Sequence, residues 1–256
     1  MPFAVPAEPF HAPAAPHPDD GQCVGVLLVH GFTGAPSSML PWAHHLADRG
    51  FGVSVPRLPG HGTTARELNR TRWADWYSEV DRAFDTLRQE TDQVVVGGLS
   101  MGGALSLQLA ADRGRDVAGV VLVNAAVATT RKDVLALPVL KHLVPSFPGI
   151  ASDISAEGVE EDGYDRTPLR AAHSMTTAWR RVREDLPRVT QPLLVFRSAV
   201  DHVVDPSSAA LIRATASSRD LTERVLENSY HVATLDNDAP IIFEESAEFA
   251  RRVTGP

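Results

Sequence analysis

The chain has 256 residues, enough for one large domain or for one domain with a sizeable insertion. Hydrophobic residues make up 43% of it and charged residues 22%, the usual balance for a globular protein that buries a core. The net charge of -8 argues against nucleic acid or an anionic membrane as a partner. The single cysteine, Cys23, excludes an intrachain disulfide, and because it opens an apolar run we expect it to be a small buried core residue.

Residues 1–20 are rich in Pro and Ala and contain neither Lys nor Arg. They lack the basic start and the continuous apolar stretch of a signal peptide. The chain also has no apolar run of about eighteen residues, the length that a membrane-spanning helix needs. We therefore interpret residues 1–20 as an extended lead-in and expect a cytoplasmic protein that is not integral to a membrane.

From Gly21 onward, short apolar runs rich in β-branched residues alternate with segments of helical spacing. Strands that alternate with helices pair in parallel, and the helices then cover both faces of the sheet. The predicted fold class is therefore α/β, with a mostly parallel central sheet. The predicted strands are 24–29, 52–55, 93–96, 117–123, 192–196 and 221–226, and the predicted helices are 38–49, 73–89, 100–113, 207–216 and 240–253.

The alternation stops between residues 128 and 186, where no convincing strand is found and Pro, Gly and charged residues are interspersed. A segment of this length is seldom structureless inside a compact domain. We predict a small helical insertion, 128–186, that lies over one end of the sheet and includes a helix near 167–183. The core of the domain then comprises residues 21–127 and 187–256.

Ser100 lies in a G-x-S-x-G pattern, Gly98-Leu-Ser-Met-Gly102, between an apolar strand and a helical segment. In this strand–turn–helix context a serine nucleophile stands on a sharp, strained turn, with its Oγ exposed above the sheet. Glycines on both sides let the strand and helix backbones pass without Cβ clashes. We predict that Ser100 is a nucleophile; the alternative is a helix-capping serine in a Gly-rich turn.

An acyl-transfer enzyme also needs two backbone N–H groups that face the substrate oxyanion. In a site of this kind, one belongs to the residue after the nucleophile, here Met101, and the other to a loop after an early strand. The sequence His30-Gly-Phe-Thr-Gly34 follows the first strong strand and places Phe32 at the second position. We expect His30 itself to brace this loop through hydrogen bonds rather than to act in catalysis.

The acid and the base are expected in the last quarter of the chain. Asp201 and Asp205 both follow the predicted strand 192–196, and either can reach a histidine. Asp205 precedes Pro206 and a helix, which favours a capping role, so we predict Asp201 as the acid. His231 follows the last strand and is the predicted base, which gives the order Ser, Asp, His that this arrangement uses.

The predicted chemistry is acyl transfer through Ser100. His231 takes the serine proton while Ser100 attacks an ester carbonyl, and water then clears the acyl-enzyme. No metal-binding or dinucleotide-binding pattern occurs, so we expect no metal and no cofactor. The other histidines are interpreted as surface, packing or structural residues, with His61 structural and His202 turned away from the acid.

Several segments of the chain resemble the bacterial carboxylesterases and monoacylglycerol lipases of the α/β-hydrolase superfamily. The resemblance implies the α/β-hydrolase fold, places the family's catalytic residues on Ser100, Asp201 and His231, and places its oxyanion amides on Phe32 and Met101. The segments are His30-Gly-Phe-Thr-Gly34, Arg57-Leu-Pro-Gly-His-Gly62, Gly98-Leu-Ser-Met-Gly-Gly103, Asn124-Ala-Ala-Val127, Asp201-His-Val-Val204 and Ser229-Tyr-His-Val-Ala-Thr-Leu-Asp236.

The resemblance also implies that the insertion is a small cap over an apolar acyl tunnel. In the monoacylglycerol lipases, polar cap residues hold the glycerol hydroxyls, and Glu161 in the acidic cluster 157–162 is placed to do so here; the alternative is a solvated run of charge. The expected partner is a small-molecule ester or lipid, and the expected state is a monomer or weak homodimer. The alternatives are a thioesterase, lactonase or amidase with the same triad, a perhydrolase, and a non-catalytic receptor.

Overall fold

The computed structural model describes residues 8–19, 21–149 and 152–255. Within these residues, seven strands form the central sheet, in the order β1-β3-β2-β4-β5-β8-β9. Neighbouring strands pair in parallel, except β1, which pairs antiparallel with β3. The prediction of a mostly parallel sheet is thus confirmed. The strands are β1 (Phe10–Ala12), β2 (Val24–Val29), β3 (Gly52–Val55), β4 (Gln93–Leu99), β5 (Val117–Val123), β6 (Ser146–Pro148), β7 (Arg166–Pro168), β8 (Leu193–Ser198) and β9 (Leu221–Leu226).

Helices cover both faces of this sheet, and alternate residues of each strand point to opposite faces. On β4, Val94 and Val96 pack in the apolar cluster that includes α3 and α4, whereas Val95 and Leu99 pack in the cluster that includes α1 and α8. Burial on both sides explains why the strands are almost continuously apolar. The helices are α1 (Leu40–Ala47), α2 (Ala65–Leu68), α3 (Trp73–Glu90), α4 (Met101–Arg113), α5 (Leu137–Leu143), α6 (Leu169–Asp185), α7 (Ser207–Thr215) and α8 (Ala239–Thr254).

The predicted site residues follow the carboxyl ends of neighbouring strands. Phe32 comes after β2, Ser100 after β4, Asp201 after β8 and His231 after β9. The order of the sheet reverses between β2 and β4, because the chain runs outward to β3 on one side and to β5, β8 and β9 on the other. Open α/β sheets form a ligand crevice at such a reversal. The topology therefore brings these four residues to one end of the sheet.

The insertion, residues 128–186, contains α5, α6 and a two-stranded antiparallel hairpin of β6 and β7. Helix α6, Leu169–Asp185, closely matches the helix expected near 167–183. Its Trp179 and Val182 are buried in the same apolar cluster as α3 and α4, so this helix packs directly on the sheet domain. The insertion is thereby fixed next to the carboxyl end of the sheet.

Three local features differ from the sequence-based expectations. The hairpin lies where no strand was predicted, because strands of three residues are too short for alternation to be recognised. Strand β1 lies inside the segment interpreted as a lead-in, and pairing with β3 stabilises it. Cys23 is partly exposed rather than buried. It precedes β2 at the amino end of the sheet, where its N–H donates to the Asp92 carboxylate at 2.8 Å.

Candidate active site

Ser100 stands on a strained turn between β4 and α4. Its backbone has φ 55° and ψ -116°, a region that L-residues rarely occupy. Hydrogen bonds fix the turn: the Ser100 N–H donates to the Val123 carbonyl at 2.9 Å, and the Ser100 carbonyl accepts from Gly103 and Ala126 at 3.0 and 3.1 Å. The structure therefore has the strand–turn–helix geometry that the G-x-S-x-G pattern predicts for an exposed nucleophile.

The glycines that flank Ser100 are required by the close approach of the backbones around the turn. A Cβ atom on Gly98 would lie 2.3 Å from the Gly102 carbonyl carbon, and one on Gly102 would lie 2.0 Å from the Val29 carbonyl oxygen. Because backbone atoms occupy these positions, no side-chain movement relieves such clashes. The predicted role of both glycines is confirmed.

His231 and Asp201 form a direct hydrogen-bonded pair. The distance from His231 Nδ1 to Asp201 Oδ2 is 2.8 Å, and Asp201 Oδ1 accepts the N–H groups of Val203 and Val204, also at 2.8 Å. Burial on its own raises the pKa of the Asp201 carboxyl group. The hydrogen bond from His231, the proximity of its ring and the hydrogen bonds from the Val203 and Val204 amides outweigh burial and hold that pKa below its usual value. An ionised carboxylate only accepts, so Nδ1 carries the proton and Nε2 is left free to accept one.

Asp205, the other carboxylate considered as the acid, and His202, the residue after Asp201, have other partners. Asp205 Oδ1 accepts the Ser207 N–H at 3.0 Å at the start of α7, and its Oδ2 accepts the Thr130 N–H at 3.0 Å. The structure thus joins His231 to Asp201 and leaves Asp205 to hold α7 against the insertion. His202 turns away from Asp201, as expected, and its Nδ1 lies 2.7 Å from Asp153 Oδ1.

The loop after β2 passes directly against Ser100. A Cβ atom on Gly31 would lie 3.5 Å from Ser100 Cβ, and Phe32 lines the same cavity as Ser100. His30 braces this loop, because its Nδ1 donates to the Gly31 carbonyl at 2.9 Å and its Nε2 accepts the Leu58 N–H at 3.2 Å. Complete burial lowers the pKa of His30 to about 4, so the ring is neutral. The expected bracing role of His30 is confirmed.

His61 is also a buried structural residue, as expected. Its Nδ1 donates to the Pro59 carbonyl at 3.3 Å, and its ring packs edge-on against His30 and Trp76. Burial, and then the proximity of His30, lower the pKa of His61 well below its ordinary value. The two neutral rings support the wall behind Phe32.

Ser100 and His231 both open into one cavity of about 580 Å³. Pockets of roughly 300–1,000 Å³ are usual for small-molecule ligands. The part of the wall that the insertion contributes is mainly apolar. It includes Val134, Leu137, Leu140, Leu169, Met175 and Trp179.

Glu161 lines this cavity, together with Ser100 and His231. The absence of a side chain at Gly34 makes room for it, since a Cβ atom there would lie 2.6 Å from Glu161 Oε1. Burial raises the pKa of Glu161 to about 7, and the proximity of His231 and a hydrogen bond with the Ser38 side chain only partly oppose this rise. Glu157 and Glu160 of the same acidic cluster are exposed, so Glu161 is placed differently from a solvated run of charge.

Comparison with known proteins gives the family. A family model described as "Serine aminopeptidase, S33" matches residues 23–238. The chain belongs to this family. A relative, the thermostable monoacylglycerol lipase of Bacillus sp. (strain H-257), is 40% identical over 253 residues, which covers 97% of this chain and 96% of the relative. The carboxylesterase of Bacillus subtilis (strain 168) is 27% identical and covers 89% of this chain and 92% of the relative.

Solved structures agree with this assignment. A structure described with LipS and LipT, two metagenome-derived lipolytic enzymes, is 40% identical, has a TM-score of 0.91, and covers 96% of this chain and 98% of that chain. The monoacylglycerol lipase of Paleococcus ferrophilus, 18% identical with a TM-score of 0.79, shares the fold over 96% of this chain and 98% of that chain. The S33 protein is therefore an α/β-hydrolase, and it is a carboxylic ester hydrolase.

Two residues that contact the His231 loop of this S33 hydrolase were not recognised in the sequence. Asn124, at the end of β5, donates from Nδ2 to the His231 carbonyl at 2.8 Å and to Ser198 Oγ at 2.9 Å. Asp153, in the insertion, accepts the His231 N–H at 3.2 Å. In the sequence, Asn124 is marked only by the motif Asn124-Ala-Ala-Val127 that resembles the family, and no local pattern distinguishes Asp153.

The part of the chain that the structure describes offers neither a metal-ligand cluster nor a membrane-spanning helix. Within residues 8–19, 21–149 and 152–255, no three His, Cys, Asp or Glu side chains are grouped so that they could hold a metal ion. None of the helices in that described part of the chain has the length and apolar character needed to cross a membrane.

Proposed function

We propose that this S33 hydrolase cleaves monoacylglycerols and related medium-chain esters through an acyl-enzyme on Ser100, with His231 as base and Asp201 as acid. The observation that carries this proposal is the 2.8 Å contact between His231 Nδ1 and Asp201, in a cavity that Ser100 also lines. Ordered in this way, His231 accepts the Ser100 proton at Nε2 and returns it to the leaving alcohol. Water then attacks the acyl-enzyme, with His231 again acting as base, and releases the carboxylic acid product.

We assign the binding of the substrate oxyanion to the backbone N–H groups of Phe32 and Met101. Met101 is the first residue of α4, so its N–H has no partner within the helix and lies at the positive end of the helix dipole. Phe32 is held near Ser100 by the loop that His30 braces. Backbone donors fixed in this way stabilise charge that develops in the transition state without having to reorganise.

We assign the insertion as a cap and its apolar wall as the acyl site. Residues such as Leu137, Leu140 and Met175 line the cavity with apolar side chains, which match the apolar chain of a fatty acid better than they match a peptide. This chemistry is what favours lipid esters over the substrates of a peptidase. The relative of 40% identity is itself named a monoacylglycerol lipase.

Glu161 is proposed to bind the glycerol hydroxyls of the alcohol half. It lies in the wall that also contains His231, and in its ionised form, above about pH 7, its carboxylate is a strong acceptor for hydroxyl donors. Its N–H donates to Ser152 Oγ at 2.9 Å, which fixes its backbone in the insertion. Glu161 thus supplies an acidic group next to the apolar wall formed by the insertion.

The function is tested by turnover of p-nitrophenyl esters from acetate to laurate, with 1-monolauroylglycerol as competitor. We expect a medium-chain optimum and strong competition, and we expect Ser100→Ala to abolish turnover without loss of the fold. A short-chain optimum without competition would indicate a general carboxylesterase. Near-native turnover by Ser100→Ala would contradict the triad assignment.

Cellular location and oligomeric state are separate proposals. We propose a cytoplasmic monomer or weak homodimer, since the single cysteine needs no oxidising compartment for an intrachain disulfide. Cell fractionation, and size-exclusion chromatography with light scattering over a range of concentrations, test these two proposals. A purely extracellular protein or a stable higher oligomer would contradict them.

A further inference from the structure

Asp153 connects the insertion to the two loops that carry the acid and the base. Its Oδ2 accepts the His202 N–H at 3.1 Å and the His231 N–H at 3.2 Å. Its Oδ1 faces His202 Nδ1 at 2.7 Å, and its own carbonyl accepts the Val232 N–H at 3.1 Å. A single carboxylate oxygen therefore joins the residue that follows Asp201 to the residue proposed as the base.

The surroundings of Asp153 hold its carboxylate in place. Its side chain is only 10% exposed, and it lines the cavity next to His231. The following residues are also tied to the His231 loop, because Asp236 accepts the N–H groups of Ser155 and Ala156 at 2.8 and 2.9 Å, and that of Tyr230 at 2.8 Å. Residues 153, 155 and 156 are thus all tied by hydrogen bonds to the loop that carries His231.

The same segment leads to the residue proposed to bind glycerol. Ser152, next to Asp153, has a left-handed backbone with φ 56°, and its Oγ accepts the Glu161 N–H. A short chain of contacts therefore runs from Glu161 through Ser152 and Asp153 to His231. Every link in this chain is a hydrogen bond or a peptide bond.

We propose that Asp153 is a positioning residue that aligns His231 with Asp201 and couples this alignment to the cap. By bridging the amides of residues 202 and 231, it fixes the separation of the two loops on which the 2.8 Å contact between His231 and Asp201 depends. A misplacement of about 1 Å at a reacting group can reduce a rate by about 100-fold. The inference rests on the proposed triad but not on the proposed substrate.

The test compares Asp153→Ala and Asp153→Asn with Glu157→Ala. Asp153→Ala removes the bridge, and we expect kcat to fall about 10- to 100-fold with KM changed less than about threefold. Asp153→Asn keeps an oxygen that can accept the two amides, so we expect a smaller fall. Glu157→Ala is the matched control, since Glu157 is an exposed carboxylate of the same insertion, and we expect kcat within about threefold of wild type.

Two further measurements separate positioning from loss of stability. The rate at which a fluorophosphonate labels Ser100 should fall in parallel with kcat, and the far-downfield proton resonance of His231 Nδ1–H should shift or broaden. If Asp153→Ala does not fold, Asp153→Asn carries the test with the same two measurements. Wild-type kcat, labelling and proton resonance in a folded Asp153 variant would overturn the inference, as would a change confined to KM.

The labelling measurement also distinguishes failure of this inference from failure of the proposed function. Asp153-dependent labelling in a wild-type protein that does not cleave monoacylglycerol would support the positioning role and reject only the substrate. If wild-type Ser100 is not labelled at all, there is no reactive triad to align, and both proposals fail.

Discussion

The carboxyl group of Glu161 is close to half-protonated at neutral pH, because burial raises its pKa to about 7. A raised pKa means that the carboxylate is present above about pH 7 and is lost as the pH falls through that value. If Glu161 binds glycerol hydroxyls, the KM for 1-monolauroylglycerol should rise about tenfold between pH 8 and pH 6. The KM for p-nitrophenyl laurate, which has no glycerol, should change little over this range.

Two variants test the assignment of this pH dependence. Glu161→Gln should raise the KM for the monoacylglycerol at pH 8 and remove most of its pH dependence. Glu160→Gln is the matched control, because Glu160 is the exposed neighbour in the same acidic cluster and should leave KM unchanged. Equal pH dependence of KM for both esters in the wild type would show that Glu161 does not recognise glycerol.

Asn124 holds the His231 loop from the side of the sheet. Its φ of 45° and its position after β5 place Nδ2 against the His231 carbonyl and Ser198 Oγ, while its Oδ1 accepts the Ser198 N–H at 2.8 Å. Asn124→Ala leaves these buried groups unpaired, so we expect it to lower the free energy of unfolding by about 2 kcal/mol. We also expect kcat to fall about tenfold because His231 is less well held.

The measurements are urea unfolding and kcat on p-nitrophenyl esters. Asn228→Ala is the comparison variant, since Asn228 is exposed and its Nδ2 donates to Asp238 Oδ1 at 3.1 Å, away from the cavity. It should change kcat by less than about twofold. If Asn124→Ala keeps wild-type kcat, the carbonyl contact does not orient His231.

The sequence predicted the residues that are proposed to perform the chemistry but not the residues that contact their loops. Ser100 is marked by a local pattern with its own backbone geometry, and His231 and Asp201 follow strands in a known order. Asp153 and Asn124 act through backbone amides and carbonyls that are distant in the sequence. Such contacts depend on where the loops meet in three dimensions, and no spacing of residue types along the chain encodes that.

The turn between β4 and α4 can form only because Gly98 and Gly102 have no side chains. Gly102→Ala would place a Cβ atom 2.0 Å from the Val29 carbonyl oxygen, so β2 and α4 would have to separate. We expect a loss of more than about 3 kcal/mol in the free energy of unfolding, or failure to fold. Gly163→Ala should be near neutral, because its Cβ atom would lie no closer than 3.4 Å to a described neighbour. Denaturant unfolding of both variants tests this, and equal stability would contradict the clash.

The longer elements were predictable because each has a periodic apolar face that matches its burial. Helices α3 and α6, Trp73–Glu90 and Leu169–Asp185, are close to the predicted ranges 73–89 and 167–183. The strands of three residues, β1, β6 and β7, were missed, since pairing with a distant strand decides them rather than local propensity. Prediction therefore failed where an element is too short to show a period.

The stability of the whole domain includes a cost for the strained backbone of Ser100. Ser100→Ala and Ser100→Gly both remove the hydroxyl, but only glycine adopts φ 55° without Cβ strain. A positive φ at a residue with a side chain costs about 1–2 kcal/mol, and glycine avoids this cost. The larger conformational entropy of glycine in the unfolded chain offsets part of the stability gained in this way. We expect Ser100→Gly to be more stable than Ser100→Ala by about 1 kcal/mol, or about 2–4 °C in Tm. Both variants should be inactive, so a Tm for Ser100→Gly at or below that of Ser100→Ala would mean that the turn stores no strain.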